Sequence, residues 1–281
     1  MQVIRTTPEM ATWSALTRNQ GQRIGFVPTM GYLHEGHLSL VKLARERCDK
    51  VVLSIFVNPT QFLPGEDMDT YPRDFERDQA LCQKAGVDVI FLPPVSELYA
   101  IDHSVMVDET RLSVGLCGVS RPGHFRGVVT IVAKLFNIIQ ADVAVFGQKD
   151  AQQVRIIKRM VRDLNFPVNV VVGSTIRERD GLAMSSRNKY LSASERKDAL
   201  CLRRALDRAE ILFTEGERRV DVLRKGMLEI IAAVPSAAVD YIEIVDDDTL
   251  DRLVMIDRRA LVVMAVRVGQ TRLLDNAVLE G

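Results

Sequence analysis

The sequence contains little cysteine, and its few cysteines are scattered. Cys48, Cys82, Cys117 and Cys201 lie far apart in the chain and form no C-x-x-C pair. This spacing argues against a disulfide framework and against a zinc knuckle, and it predicts free thiols in a reducing compartment.

An excess of either charge is also missing. Lysine plus arginine and aspartate plus glutamate both number 37, so the formal net charge is zero. Nucleic-acid-binding proteins usually show a basic footprint. The first residues, MQVIRTTPEMATW, lack the apolar segment of a signal peptide, and no apolar run approaches the roughly 20 residues of a membrane helix. We therefore expect a cytoplasmic protein that binds neither nucleic acid nor membrane.

Short apolar runs rich in β-branched residues alternate with amphipathic stretches through much of the 281-residue chain. Runs with little polar alternation are typical of strands covered on both faces. Strands are predicted at 23–28, 51–57, 87–94, 142–147 and 167–173, and helices at 37–48, 74–85, 130–139 and 151–164. This alternation predicts an α/β fold, a doubly wound, Rossmann-like parallel sheet, over residues 1–175. Such sheets bind ligands at the carboxyl ends of their strands.

The pattern changes after about residue 176. One long amphipathic helix is predicted to begin after Ser192, which forms a capping-box pattern with Glu195. A second helix from about Val220 and several strand-like runs follow, and the last two runs are separated by Gly269–Gln270, which suits a two-residue hairpin. Residues 176–281 are therefore predicted to form a smaller α+β domain with an antiparallel sheet.

Two of the four histidines, His34 and His37, lie in PTMGYLHEGHLSL, directly after the first predicted strand. A helix that starts near His34 or Glu35 would offer free N–H groups and a positive dipole end to an anion. Residues three apart share a helix face, and Gly36 is expected to let a bulky ligand approach the backbone. H-E-G-H is not the H-E-x-x-H spacing of metalloproteases. A metal pair, a phosphate site and ordinary packing nevertheless all remain open from this stretch alone.

Two further stretches carry side chains that suit phosphate. They are FGQKDAQQ, with Gly147, Lys149 and Asp150, and GLAMSSRNKYL, with Met184, Ser185, Ser186 and Arg187. Each could by itself be an ordinary connection or a solvated loop. Together with the histidine stretch they favour a phosphate-binding site.

The H-x-G-H sequence and the later Met-Ser-Ser-Arg loop resemble the nucleotidylyltransferase superfamily, which includes class I aminoacyl-tRNA synthetases. Longer stretches are similar, in chain order, to the pantothenate synthetase family: PTMGYLHEGHLSL, SIFVNPTQF, YPRDFERD, RPGHFRGVVTIVAKLFN, FGQKDAQQ and RDGLAMSSRN. The resemblance implies ATP-dependent joining of (R)-pantoate to β-alanine through a pantoyl adenylate, with release of AMP and pyrophosphate. It also implies a cytoplasmic homodimer that uses Mg²⁺.

The resemblance implies roles for individual residues. ATP would be bound by Met30, Gly31, Tyr32, Leu33, His34, Glu35, Gly36, His37, Gly147, Gln148, Lys149, Asp150, Ile176, Met184, Ser185, Ser186 and Arg187. Catalysis would depend on His37, the family's proton donor, together with His34, Lys149, Ser185, Ser186 and Arg187. Gln61 and Gln153 would hydrogen-bond pantoate, Gln61 would also contact β-alanine, and Asn58 would shape that site. The magnesium ligands are not assigned, and the C-terminal domain is expected to close over the active site.

Several alternatives stay open at this point. The chain could be another adenylyltransferase of the superfamily, a truncated aminoacyl-tRNA synthetase, or a nucleotide-binding module without catalysis. The acidic segment Pro64–Thr70 could be a lid or a plain surface loop. Arg121, His124 and Arg126 could serve the site or a subunit interface.

Overall fold

The computed structural model describes residues 1–280. They form two compact units. The first consists of residues 1–113, 121–148 and 153–174, and the second of residues 114–120, 149–152 and the chain from Thr175 onward. The division of the chain at 175/176 remains a prediction.

The helices and strands up to residue 174 alternate along the chain. They are β1 (Gln2–Ile4), α1 (Thr7–Asn19), β2 (Ile24–Thr29), α2 (Glu35–Arg45), β3 (Lys50–Ile55), α3 (Phe75–Lys84), β4 (Val89–Phe91), α4 (Val95–Leu98), α5 (Cys117–Ser120), α6 (His124–Ile139), β5 (Val143–Gly147), α7 (Ala151–Asp163) and β6 (Asn169–Gly173). The six strands form one parallel sheet in the order β1-β4-β3-β2-β5-β6. The predicted parallel α/β fold is confirmed, and β1 is an edge strand that the sequence did not indicate.

The strand order reverses between β2 and β5. From β2 the chain adds β3 and then β4 on one side, whereas β5 and β6 lie on the other side of β2. Crevices at such reversals, beyond the carboxyl ends of the strands, are where open α/β sheets bind ligands. The chain enters the histidine stretch as it leaves β2, and the Gly147–Gln148 segment as it leaves β5.

Small residues let α2 pack closely on this sheet. A Cβ at Gly25 of β2 would lie 3.1 Å from the Cβ of Ala44, and one at Gly173 of β6 would lie 3.0 Å from Leu43 Cδ1. Val41 and Ala44 are fully buried on the helix face that meets the sheet. The start of α2 is therefore fixed relative to the strand ends.

Helix α6 begins six residues earlier than predicted, at His124 and not at 130. Gly123, in the left-handed region at φ 85°, starts the helix. A Cβ at Gly127 would lie 2.7 Å from the backbone nitrogen of Gln61. Gly127 thus allows the helix to pack directly on the turn at 59–61.

The second unit contains α8 (Ala193–Asp198), α9 (Cys201–Thr214), α10 (Val220–Ala232) and an antiparallel sheet of β7 (Ala237–Asp246), β8 (Ala260–Val268) and β9 (Thr271–Leu279). The capping box of Ser192 and Glu195 and the hairpin at Gly269, with φ 57°, are both present. The prediction of one long helix was wrong. At the break, i→i−3 bonds run from Leu200 N to Lys197 O and from Leu202 N to Ala199 O, both at 3.2 Å, and α9 buries its apolar face in the core of this unit.

None of the helices in residues 1–280 is both long and apolar enough to cross a membrane.

Candidate active site

A buried carboxylate shapes the turn that follows β2. Gly31 and Tyr32 both have positive φ angles, 83° and 51°, so the chain reverses sharply here. Asp78 of α3, 1% exposed, accepts hydrogen bonds from the backbone N–H groups of Tyr32 at 2.6 Å and Leu33 at 2.7 Å. Burial raises the pKa of Asp78, although the two N–H groups and nearby Arg77 oppose this effect. The sequence alone did not single out Asp78, because it lies 45 residues from Leu33.

The two imidazoles begin α2 and cap it. The N-cap residue His34 accepts at Nδ1 from Gly36 N at 3.1 Å, and His37 accepts at Nδ1 from His34 N at 3.2 Å. The ring centroids lie 4.1 Å apart. Because both Nδ1 atoms accept, each neutral ring carries its proton on Nε2. The start of α2 therefore carries two imidazole N–H groups, both on Nε2, in addition to its own dipole.

Gly36 lies directly against the ring of His34. A Cβ at this position would lie 2.8 Å from His34 Cε1 and 2.9 Å from His34 Nδ1. The glycine therefore makes room for the capping ring of His34, and its contact with a ligand stays a prediction.

The turn after β3 holds Gln61 beside this stretch. Gln61 Nε2 donates to Met30 Sδ at 3.0 Å, and its Oε1 accepts from Asn58 Nδ2 at 3.2 Å. Asn58 is 1% exposed, and its Oδ1 accepts from Tyr99 Oη at 2.8 Å. Burial raises the pKa of Tyr99, so the phenol keeps the proton that it donates. Two stretches picked from the sequence thus meet at Met30 and Gln61, and Tyr99 is a supporting residue that the sequence did not reveal.

Arg121 and His124 lie on the other side of the same turn. His124 Nδ1 donates to the main-chain carbonyl of Gln61 at 2.8 Å, and Arg121 Nη2 donates to it at 3.3 Å. Arg121 also forms a two-point ion pair with Glu66, with both N···O distances 2.6 Å. Burial raises the pKa of Glu66, but the hydrogen bonds and charge of Arg121 outweigh burial and lower it. Arg126, in contrast, is exposed.

Hydrogen bonds from nearby residues stabilise the conformation of the segment Pro64–Thr70. Glu66 Oε2 accepts from Leu63 N at 3.1 Å as well as from Arg121, and Arg73 donates to the carbonyls of Met68 at 3.1 Å and Tyr71 at 3.2 Å. Whether the segment acts as a lid stays a prediction.

The strand end after β5 is formed by Gly147 and Gln148. Gly147 pairs with Gly173 of β6, and Gln148 Oε1 accepts from Arg155 Nη1 at 3.2 Å. Gln153, in the first turn of α7, is half-buried.

In the second unit, Lys149 and Asp150 continue the short 3-10 turn. Lys149 Nζ lies 3.8 Å from Asp150 Oδ1, and the lysine carbonyl accepts from Asn276 Nδ2 at 3.0 Å. The adjacent Gln152 is 6% exposed, donating to Gly115 O at 2.8 Å and accepting from Cys117 N at 3.0 Å. Gln152 is therefore a structural neighbour of the predicted substrate residue Gln153.

Ile176 and the Met-Ser-Ser-Arg sequence face each other across a short hairpin. Met184 N donates to Ile176 O at 2.9 Å, and Arg177 pairs with Ala183. Ser185 then caps a 3-10 turn over Ser186–Tyr190, accepting from Arg187 N at 3.3 Å. The hairpin brings the predicted adenine contact and the predicted triphosphate contacts into one segment.

The described residues 1–280 include no group of three or more histidine, cysteine, aspartate or glutamate side chains placed to hold a metal ion.

The parallel sheet, with an H-x-G-H pair capping the helix after β2, defines a nucleotide-binding α/β protein of the nucleotidylyltransferase type. Residues 2–278 match the family described as pantoate-beta-alanine ligase. A pantothenate synthetase of Heliobacterium modesticaldum is 55% identical over all of both chains. The chain belongs to the pantoate–β-alanine ligase family.

Solved structures agree with this assignment. The crystal structure of pantothenate synthetase from Thermus thermophilus matches with a TM-score of 0.94 and 47% identity over 99% of each chain. The pantoate-beta-alanine ligase of Francisella tularensis, complexed with beta-gamma ATP and β-alanine, matches with a TM-score of 0.78 and 32% identity, over 99% of this chain and 97% of that one. The fold predicted from the sequence is thus that of known ligases.

Proposed function

We propose that the protein forms pantothenate from pantoate, β-alanine and ATP in two steps. A carboxylate oxygen of pantoate attacks the α-phosphorus of ATP, the bond from that phosphorus to the bridging oxygen breaks, and pyrophosphate leaves. The amine of β-alanine then attacks the acyl carbon of pantoyl adenylate and loses a proton, and AMP leaves. The observation that carries this proposal is the pair of imidazole Nε2–H groups at the start of α2, together with Gln61, whose amide donates to Met30 in the same stretch.

The first step joins two anions, so charge compensation and positioning dominate its barrier. His34 and His37 would donate from Nε2 to oxygens of the triphosphate, where the α2 dipole adds to their effect. Lys149 and Arg187 would stabilise the charge that develops on pyrophosphate, and Ser185 and Ser186 would donate to phosphate oxygens. Ser186 is 9% exposed.

The nucleotide would be recognised mainly by backbone. Residues 30–37 and Gly147–Asp150 would line the ATP site, and Ile176 would contact adenine through its main chain. Since Ile176 O is already paired with Met184 N, a nucleotide contact by this residue fits its N–H better. Met184 to Arg187 would close over the triphosphate.

Magnesium would enter with ATP. Mg²⁺ at nucleotide sites is usually held by phosphates, waters and one or two carboxylates, and residues 1–280 contain no larger acidic cluster that could form a dedicated cage. The bound ion would neutralise phosphate charge.

Pantoate would be recognised by amides that can both donate and accept. Gln61 is supported by Asn58 on one side and Met30 on the other. Gln153 lies one position, or about 100° around α7, from the structurally engaged Gln152. Gln61 would also contact β-alanine.

We also propose that the protein is a cytoplasmic homodimer. Ile101 and Val105 are large apolar residues with 105% and 84% exposure, which suits a surface that a second copy covers. Sedimentation of the wild type against a double variant, Ile101→Asp with Val105→Asp, tests this; a wild-type monomer contradicts it.

Pyrophosphate exchange into ATP, with magnesium and without β-alanine, tests the reaction. Exchange that requires pantoate supports the adenylate step, and β-alanine should then release AMP and form pantothenate. A folded protein that binds ATP but shows no pantoate-dependent exchange contradicts the proposal. Exchange with another acid or transfer to a phosphorylated acceptor would indicate a different adenylyltransferase.

A further inference from the structure

Two side chains outside the proposed substrate site donate hydrogen bonds to the main-chain carbonyl of Gln61, and these two bonds together are called the clamp. The carbonyl accepts from His124 Nδ1 at 2.8 Å and from Arg121 Nη2 at 3.3 Å. The backbone of α6 packs against the same turn at Gly127, where a Cβ would lie 2.7 Å from Gln61 N. Movement of this carbonyl would therefore move the Gln61 side chain.

The partners of His124 determine where its proton lies. A carbonyl oxygen can only accept, so the Nδ1 atom that faces Gln61 must carry a hydrogen. A guanidinium can only donate, so Nε2, which lies 2.9 Å from Arg121 Nη1, must be unprotonated. His124 is therefore neutral with its proton on Nδ1, the opposite tautomer from His34 and His37.

Glu66 holds Arg121 in the orientation that points a guanidinium N–H at His124 Nε2. Its Nε and Nη2 bind the two carboxylate oxygens of Glu66, Nη2 also reaches Gln61 O, and Nη1 is left to face His124. Arg121 and Glu66 have 15% and 23% of their side chains exposed, so water competes little with the pair. Arg121 thus faces His124 directly, and Glu66 lies behind Arg121.

We infer that neutral His124 is a positioning residue for Gln61, and that a second proton on its Nε2 releases the clamp and weakens binding of the hydroxy acid. This inference rests on the proposed function. An added Nε2–H would point at the donors of Arg121, so the contact between the two side chains would become repulsive. The ring would then have to turn, and the bond to Gln61 O would be lost with it.

Imidazole ¹⁵N NMR of the full-length wild-type protein near neutral pH tests the tautomer without any substitution. Single His→Gln variants assign the four histidine signals. We expect one buried ring protonated on Nδ1, assigned to His124, and two protonated on Nε2, assigned to His34 and His37. A His124 signal with Nε2 protonated in the neutral ring overturns the inference.

Pantoate-dependent pyrophosphate exchange tests the consequence between about pH 5 and about pH 8.5, a range that extends well below the ordinary histidine pKa of about 6.5 because the charge of Arg121 opposes a second proton on His124. The wild-type KM for pantoate should rise about tenfold towards the acid end, as expected for loss of one or two hydrogen bonds. His124→Asn keeps a donor near the Nδ1 position but cannot titrate. Its KM should stay close to the wild-type value at neutral pH and should lose the wild-type rise with acid.

His103→Asn is the matched control, since His103 is exposed and lies in the same unit. It should keep the wild-type pH profile of the pantoate KM. The inference is wrong if folded His124→Asn retains that profile, or if His103→Asn abolishes it. Absence of pantoate-dependent exchange at every pH would instead contradict the proposed function, and the NMR result would then still decide the state of His124.

Discussion

The turn after β2 and the turn after β3 follow neighbouring strands of the sheet, and side chains of opposite hydrogen-bonding character stabilise them. The first turn points two backbone N–H groups inward, and a buried carboxylate, Asp78, accepts from both. The second turn points a carbonyl inward, that of Gln61, and an imidazole and a guanidinium donate to it. The buried donors of the first turn are thus bound by an acceptor, and the buried acceptor of the second turn is bound by donors.

This difference separates two tasks. The first turn leads into the start of α2, where the helix dipole suits an anion. The second must keep an amide in one orientation, which suits a neutral polar substrate group. Substitutions in the first turn should therefore act mainly on turnover, and substitutions in the second mainly on the KM for pantoate.

The largest effect is expected from His37→Ala. It removes one of the two Nε2–H donors and should lower kcat by about 10²-fold or more, as for loss of a preorganised oxyanion donor. Steady-state kinetics would measure this, with His103→Ala as a histidine control. A folded His37→Ala protein with near-normal kcat would remove His37 from catalysis.

Asp78→Asn should have the next largest effect, a fall in kcat of about tenfold with little change in the KM for pantoate. The asparagine amide has one acceptor in place of two, so one N–H of Tyr32 or Leu33 loses its partner. Asp74→Asn is the control on the same helix: Asp74 caps α3, accepting from Arg77 N at 3.1 Å, and asparagine caps equally well. Equal losses of activity in the two variants would contradict a special role for Asp78.

A smaller and different effect is expected at the second turn. Gln61→Ala should raise the KM for pantoate about tenfold with a modest change in kcat, since the amide contributes one or two hydrogen bonds. Gln153→Ala should do the same if it also binds pantoate. Gln152→Ala should instead lower the melting temperature, because it removes the bonds to Gly115 and Cys117. A change confined to the KM for ATP in the Gln61 variant would contradict its assignment.

The smallest effect concerns stability, and its sign differs between the two turns. The pKa of Asp78 is raised above 3.8 in the native state. Between 3.8 and the raised pKa the native state therefore binds more protons than the unfolded state. The contribution of Asp78 to the free energy of unfolding thus falls as the pH rises through this interval. The pKa of Glu66 is lowered below 4.5, so its contribution is present above that value and is lost as the pH falls through the lowered pKa.

Denaturant unfolding of Asp78→Asn and Glu66→Gln across this acid range, each compared with the wild type, would measure the two contributions. The stability difference between wild type and variant should shrink with rising pH for Asp78 and grow for Glu66. Slopes of the same sign would show that one of the two environments is misassigned.

Local sequence patterns predicted many of the helices and strands. The apolar runs predicted five of the six parallel strands, the capping box of Ser192 and Glu195 predicted where α8 begins, and the turn after the first strand predicted a helix start near His34 or Glu35. The three-residue strand β1 is too short for a periodic pattern, and the amphipathic period runs through the break at Ala199–Leu200 without interruption. The candidate site was predictable where its residues are adjacent in sequence, as in H-E-G-H.

The supporting partners were not predictable, because they are distant in sequence. Asp78 lies 46 residues from Tyr32, Arg121 lies 55 from Glu66, and His124 lies 63 from Gln61. No local period connects such pairs. Glycine at 127 is visible in the sequence, but the close approach of α6 to the 59–61 turn is a property of the folded chain alone.

The capping bonds of His34 and His37 also limit how many protons the H-x-G-H pair can exchange. Each ring holds a single proton, on Nε2, and its other nitrogen is occupied by a main-chain N–H. Giving that proton away would leave an imidazolate, and taking up a second would break the cap of α2. In the proposed reaction His37 would therefore act through this one Nε2 proton, and the solvent deuterium isotope effect on pantoate-dependent exchange would show whether that proton is transferred to the departing pyrophosphate or only shared with it in a hydrogen bond.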